Sequence, residues 1–195
     1  MKYVSGAASS HFQDYSIQKI AVLPFQVQPA FHEGRISETP AVAEGSDLLL
    51  TRIFVEQLEA TGRYQVVPRD RIEAALKTQT GEPGILTTQL ARSIGKTLEA
   101  DVVILGRVQV FAERRGGSLL GSQRPASVGF TVEMINVGDG TLLWSSSYHE
   151  TQKSLSEDLN TLPLFIERGG KWLTAEELAG YGAKEMIKTL PKKKG

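Results

Sequence analysis

The most continuous apolar stretch of the chain is ADVVILGRVQVF, from Ala100 to Phe111. Between Asp101 and Gly106 the apolar residues occupy both alternating faces, which is typical of a strand covered above and below in the middle of a sheet. From Arg107 onward, apolar and polar residues alternate. Val108 and Val110 fall on one face, and Arg107 and Gln109 on the other. We therefore expect a central strand that continues toward solvent, with a bulge or a close backbone approach at Gly106.

Four further segments have strand patterns: Ile17–Gln28, Tyr64–Pro68, Ser127–Val137 and Leu142–His149. Pro24 should lie at an edge or at the end of its strand, because proline cannot donate to a ladder. Gly138-Asp139-Gly140 predicts a tight turn that joins the last two segments into a hairpin. The residues expected to point inward from the hairpin are Val128, Phe130, Val132 and Met134, and then Leu142, Trp144 and Tyr148.

Helical patterns fill the spaces between these strands. The first helix begins at Thr39-Pro40 or at Ser46 and ends just before Gly62. The others are Arg69–Gln79, a helix capped by Thr87 or Thr88, and a last helix opened by the capping box of Thr174 and Glu177 and ended by Pro191. The order of elements predicts an α/β domain with a mixed sheet flanked by helices, parallel early in the chain and antiparallel late.

The length of 195 residues fits one domain with a full hydrophobic core. Residues 1–16 are small and polar and are expected to form a flexible lead or tether. Residues 17–151 are expected to form the α/β domain. Residues 152–195 are predicted to be a C-terminal arm and helix packed on that same domain.

The charges are balanced, with 22 Lys and Arg against 22 Asp and Glu, so no net field favours nucleic acid as a partner. A basic run, Lys192–Lys194, is interpreted as a solvated tail. The absence of cysteine excludes disulfides, thiolate metal sites and a thiol nucleophile. The first residues lack the apolar segment of a secretory signal, which leaves a cytoplasmic protein or a mature form whose signal has been removed.

The candidate chemical motifs all have structural explanations. Gly95-Lys96-Thr97 resembles part of a phosphate loop, but Leu90 stands where that loop needs glycine and the segment precedes a strand. We expect Gly95 to let a helix approach the sheet. The three histidines have no partner at metal-ligand spacing, and no G-x-S-x-G elbow accompanies His149-Glu150. The sequence thus predicts no catalytic, cofactor-binding or metal-binding residues.

Two segments place apolar residues outside any helix or strand period. They contain Leu119 and Leu120 in GSLLGS, and Leu164, Phe165, Ile166 and Trp172 in LPLFIERGGKW. Such residues either pack over their own domain or contact a partner. We predict that they form an interaction surface, with Phe165 and Trp172 as aromatic anchors.

Four stretches in succession are similar to a known family: IAVLPF, VVPRDRIEAAL, ARSIGKTLEADVVILGRVQVF and VEMINVGDGTLLWSSS. Together they resemble the curli production assembly/transport (CsgG-like) lipoproteins over about Ile17–Ser147. Relatives include the lipoprotein activators of penicillin-binding proteins and the amino-terminal domain of the Tol propeller protein. The resemblance implies a single α/β domain of the CsgG-like, anticodon-binding-domain-like class.

The resemblance also implies a location and a role. It implies a non-enzymatic periplasmic protein, tethered to the outer membrane by an amino-terminal lipidated cysteine and acting in assembly, export or docking. Its partner would be a second copy or another envelope protein. The chain departs from the family in having no cysteine, so we expect a signal peptide and the lipid-bearing cysteine at or before Met1.

The second departure concerns the pore. The curli channel inserts long amphipathic hairpins, whereas Gly116–Ser122 is shorter than the roughly 9–11 residues of a membrane strand. Two alternatives to the envelope role stay open: an α/β enzyme or nucleotide-binding protein, and a cytoplasmic interaction module.

Overall fold

The structure is a computed structural model that describes residues 2–28, 42–79, 86–114, 126–152 and 173–192. Within these ranges, seven strands form one sheet: β1 (Lys2–Ala8), β2 (Lys19–Val22), β3 (Gln26–Val27), β4 (Gln65–Val66), β5 (Val102–Ala112), β6 (Ser127–Asn136) and β7 (Leu142–Thr151). The described helices are α1 (Ser46–Glu59), α2 (Arg69–Gln79), α3 (Thr88–Thr97) and α4 (Ala175–Lys188), with a 3₁₀ helix at Phe12–Asp14.

The sheet is mixed, as predicted, with the order β1-β7-β6-β5-β2-β4 and β3 also paired with β5. β2 and β3 run parallel to β5, and β4 runs parallel to β2. β6, β7 and β1 continue the sheet antiparallel on the other side of β5. This division follows from the connections, because parallel neighbours need long crossovers whereas β6 and β7 are joined by a tight turn.

β5 contributes to a hydrophobic core on each face of the sheet. Ile104 and Val108 belong to the core that α1 and α4 cover, while Val103 and Leu105 belong to the core under α2 and α3. Ile104 is fully buried. The prediction of a central strand covered on both faces is therefore confirmed.

Gly106 permits a close approach rather than a bulge. A Cβ atom on Gly106 would overlap the aromatic ring of Phe25, which packs against the β5 backbone there. The register irregularity lies further along, between Val108 and Val110. Because a bulge inserts an extra residue, the next β5 side chain in the α1–α4 core is Phe111. The expectation that Val108 and Val110 share an inward face is wrong for this reason.

The predicted flexible lead at residues 1–16 is instead largely structured. β1 pairs with β7 over seven residues, from Lys2 opposite Glu150 to Ala8 opposite Trp144. Val4 packs against the core. The hydrophobic pattern of β1 is weak because this edge strand consists largely of small residues and packs only one of its faces against the rest of the protein. The sheet thus extends beyond the predicted domain of residues 17–151.

A second register irregularity, between β6 and β7, changes which side chains of β7 point inward. Trp144 and Tyr148 are buried as predicted, but Leu142 is 47% exposed. The pairing of β6 with β7 shifts register between Met134 and Ile135, and Ile135 is the residue opposite Leu142. Because one inserted residue moves every side chain beyond it to the other face, Leu142 is turned out to solvent.

The helix boundaries agree closely with the local signals. α2 has the predicted bounds, Thr87 caps α3, and the capping box of Thr174 and Glu177 opens α4 with both reciprocal hydrogen bonds. For α1 the later of the two candidates is supported, since Gly45 is the N-cap and Ser46 the first helical residue. Side-chain capping therefore accounts for the starts of α3 and α4.

We predict that Gly106→Ala lowers the thermal midpoint of the protein. The new methyl group must displace the Phe25 ring from a fully packed core, at a cost of about 1–3 kcal/mol. At roughly 2–4 °C per kcal/mol for a chain of this size, differential scanning calorimetry would resolve the loss. Gly180→Ala in α4 is the matched control, because its Cβ position has no described neighbour within 4 Å beyond its own helical backbone and adjoining residues. An unchanged midpoint in Gly106→Ala would contradict the packing described here.

Candidate functional site

The residues that the sequence offers as an interaction surface all lie outside the described residues. They are Leu119, Leu120, Leu164, Phe165, Ile166 and Trp172. Their role stays a prediction. On the surface that the structure describes, one groove combines concavity with a concentration of like charge, and it is the candidate site.

This groove lies between the C-terminal ends of α1 and α4 and has a volume of about 550 Å³. We call it the cationic groove. It is lined by Gln57, Ala60, Thr61, Arg63, Lys184, Ile187, Lys188, Leu190 and Lys192. Ala60, Ile187 and Leu190 give it an apolar floor. Four of the nine lining residues carry positive charge, and none of the nine is acidic.

The lysines reach the groove because of the helical period of α4. Lys184 and Lys188 are exposed and one turn apart, while Met186 and Ile187 point into the core. Lys188 forms an ion pair with Glu185. Lys184 and Lys192 make no ion pair with any residue that the structure describes. The groove therefore holds positive charge that its own walls leave unneutralised.

Hydrogen bonds from Arg63 and Gln13 hold the segment after α4 that forms one wall of the groove. The Nη1 atom of Arg63 donates to the carbonyl oxygens of Leu190 and Pro191, at 3.4 and 3.3 Å. The guanidinium of Arg63 also lies 5.4 Å from the centre of the Tyr64 ring. Gln13 donates to the carbonyl oxygen of Lys192 at 3.0 Å. The segment after α4 is thereby held against the end of α1.

The end of α4 is also attached to the sheet. The indole nitrogen of Trp144 donates to the hydroxyl of Thr189 at 3.1 Å, and that hydroxyl donates to the carbonyl oxygen of Met186 at 2.7 Å. Trp144 is almost fully buried. The position of Lys188 and Lys192 is thus tied to the hydrophobic core through one buried side chain.

A smaller groove of about 320 Å³ separates α1 from α2. Val67 and Ile72 form part of its floor, and Leu48 at its rim is 49% exposed. Its rim carries charges of both signs, including the ion pairs Arg52–Glu56 and Arg69–Glu73. Because these charges are already paired, this groove has no electrostatic preference comparable to that of the cationic groove.

The polar residues singled out in the sequence do not come together as a catalytic set. His149 is exposed, whereas Glu150 is only 3% exposed and accepts a hydrogen bond from Tyr148. Successive strand residues point to opposite faces, so His149 and Glu150 are separated by the sheet. Gly95 lies against the side chains of Val103 and Val137, which confirms its role in close packing of α3 on the sheet.

The pKa values of Asp139 and Tyr64 are shifted. The backbone N–H of Thr141 and then the Tyr15 hydroxyl, each donating at 2.8 Å, lower the pKa of Asp139. Burial raises the pKa of Tyr64 above its ordinary value of 10.0, and the charge of Arg63 opposes this. The shift of Asp139 follows from the turn after β6, and that of Tyr64 from packing beside the cationic groove. Neither shift creates a reactive group.

The described parts of the chain hold no group of three or more His, Cys, Asp or Glu side chains placed to bind a metal ion. Within the same ranges, every helix is too short or too polar to cross a membrane.

The fold has relatives among solved structures. PelC from Paraburkholderia phytofirmans, crystallised as a dodecamer, superposes with a TM-score of 0.57 at 15% identity over 100% of both chains. A single-substitution variant of that dodecamer gives 0.55 at 16% identity, over 98% of this chain and 99% of that one. Lipoprotein GNA1162 from Neisseria meningitidis gives 0.47 at 19% identity, over 78% of this chain and 96% of that one.

The two PelC superpositions support the α/β fold over the whole chain. At such low identity they show the fold alone. No protein-family model matches the sequence, and no curated protein matches it either. Membership of the CsgG-like family therefore stays a prediction.

We predict that Tyr64 makes the protein less stable in alkali. A pKa raised by folding stabilises the folded state fully below the pKa of the unfolded chain, near 10, and this contribution disappears as the pH rises through the folded-state pKa. Urea unfolding at about pH 8 and about pH 11, on either side of the ordinary tyrosine pKa, should show a smaller loss of stability in Tyr64→Phe than in the unaltered protein.

Tyr3→Phe is the control for this experiment, because Tyr3 is 58% exposed. It should lose as much stability in alkali as the unaltered protein. An identical pH dependence in Tyr64→Phe and Tyr3→Phe would contradict the assignment.

Proposed function

We propose that the chain is a non-enzymatic domain of the bacterial cell envelope that acts in assembly, export or docking through protein–protein contacts, and that it self-associates. In this proposal it lies in the periplasm and is held at the outer membrane by a lipid anchor that this sequence does not include. The observation that carries the proposal is the likeness of fold, over the full length of both chains, to a protein crystallised as a dodecamer.

The shape of the sheet supports self-association. β1 forms one end of the sheet and the two-residue β4 forms the other, so the two ends present different surfaces. Contacts between unlike surfaces of identical subunits produce rings when the rotation closes. Exposed apolar side chains lie near both ends, with Tyr3 on β1 and Leu48 beside the groove of α1 and α2.

The charge balance also favours association. The chain has no net charge, so copies do not repel one another over long distances. Positive charge is nevertheless concentrated in the cationic groove. A neutral chain with separated charges can attract a second copy in specific orientations only.

We predict that the 195-residue chain associates, and that the double substitution Phe165→Ser with Trp172→Ser weakens this association. Sedimentation equilibrium should give a mass above the 21.3 kDa of one chain, and the variant should shift toward that value. Its thermal midpoint should stay near that of the unaltered protein, because an interaction surface contributes little to the fold. Val27→Ser, at an exposed apolar residue of β3, is the control.

Two results would count against self-association through a surface that contains Phe165 and Trp172. A mass of one chain at all concentrations would contradict self-association. A sharply lower midpoint with an unchanged mass would show that the arm belongs to the core of its own domain.

Lipidation is tested separately. Cells that express the full-length gene should incorporate radiolabelled palmitate into the protein, and the label should fractionate with the outer membrane. The 195-residue chain expressed alone has no cysteine to carry a lipid and is the unlabelled control. Absence of label together with a cytosolic location would overturn the envelope assignment.

A further inference from the structure

We propose that the cationic groove binds the acidic, apolar segment Leu155–Glu167 of a second copy of this chain. This contact rests on the proposed function, since it is the one through which copies would associate. The charge of the groove, its shape and the composition of the segment all support it.

The charge of the groove favours a negatively charged occupant, although Lys188 is already paired with Glu185. Among the described residues that line the groove there are four cations and no carboxylate, in a chain whose total charge is zero. Opposite charges within a few ångströms attract strongly where the surroundings are partly apolar. An anionic segment is therefore favoured over a neutral or basic one.

The shape of the groove favours a polypeptide. The groove is a shallow, open recess of about 550 Å³, and Ala60, Ile187 and Leu190 contribute apolar side chains to its floor. A flat bilayer does not enter a recess between two helix ends, and a phosphate backbone leaves an apolar floor unused. A polypeptide segment that carries both carboxylates and apolar side chains satisfies the floor and the rim together.

The groove also gives a use to the basic run of the sequence. Lys192 begins the run Lys192–Lys194, which on its own indicates a solvated tail. The structure places Lys192 beside Arg63, Lys184 and Lys188, and Gln13 holds its backbone in place. Lys192 therefore lines the same groove as Arg63, which follows α1, and as the two lysines of α4.

The composition of the segment complements the groove. The sequence LSEDLNTLPLFIE contains three carboxylates, at Glu157, Asp158 and Glu167, and no cation. Six of its residues are large and apolar: Leu155, Leu159, Leu162, Leu164, Phe165 and Ile166. The carboxylates match the rim and the apolar side chains match the floor. Phe165 is also one of the two aromatic anchors predicted from the sequence.

The decisive experiment is a charge exchange in the full 195-residue chain, followed by sedimentation equilibrium. Lys184→Glu with Lys188→Glu should weaken association about tenfold or more, because both rim charges then repel the segment. Glu157→Lys with Asp158→Lys should have a similar effect. Combining all four substitutions should restore association, since the attraction is rebuilt with its signs exchanged.

The matched control is Lys77→Glu with Lys96→Glu. These lysines are exposed on α2 and α3, on the face of the sheet opposite the cationic groove. The two substitutions change the total charge by the same amount as the groove variant does. Association should be unaffected. A synthetic peptide of residues 155–167, labelled with fluorescein, should also bind the unaltered chain in fluorescence anisotropy, more weakly at high salt, and should fail to bind Lys184→Glu with Lys188→Glu.

Three outcomes would overturn the inference, and they differ in what they leave standing. If the chain associates but the groove variant behaves like the control, the contact is wrong while self-association holds. If the unaltered chain has the mass of one copy throughout, self-association itself fails and the inference with it. If the groove variant and the segment variant both lower the thermal midpoint at an unchanged mass, and the chain with all four substitutions regains it, the segment lies on the groove of its own chain.

Discussion

The two-sided burial of β5 is the constraint on which the rest of this structure depends. Its backbone pairs with β2 and β3 on one side and with β6 on the other. Its side chains enter the cores on both faces of the sheet. A strand of this kind cannot remain in water at either face, so helices must cover both. α1 and α4 supply one layer, and α2 and α3 supply the other.

The sequence predicts the parts of this arrangement whose signals are local. α2 and the capping box of α4 are examples, because each depends on residues a few positions apart. The sequence pattern does not reveal β1, because this edge strand packs on the core only through partly buried side chains such as Val4. The bulge after Val108 and the register shift near Leu142 escape prediction as well, because the pairing between strands determines them.

The candidate site illustrates the same limit more strongly. Arg63 follows α1, while Lys184 and Lys188 lie on α4, and no sequence motif connects them. Only the packing of α1 beside α4 on one face of the sheet brings these charges together. The apolar segment LPLFIERGGKW is the reverse case, because the sequence shows its composition but does not show what it contacts. The total charge of the chain is zero, but the fold still concentrates positive charge in the cationic groove.

The pairing of β1 with β7 connects two parts of the sheet that are far apart in sequence, since Lys2 lies opposite Glu150. A polypeptide that emerges amino terminus first exposes β1 long before its partner exists. At typical synthesis rates the interval is roughly 7–30 s. Once β7 has emerged, β5, β6 and β7 can pair first because they are neighbours in sequence, whereas β1 must close a long loop to reach β7. Such a late-closing strand can also enter the sheet of a neighbouring nascent chain, which makes domain exchange the characteristic misfolding risk of this topology.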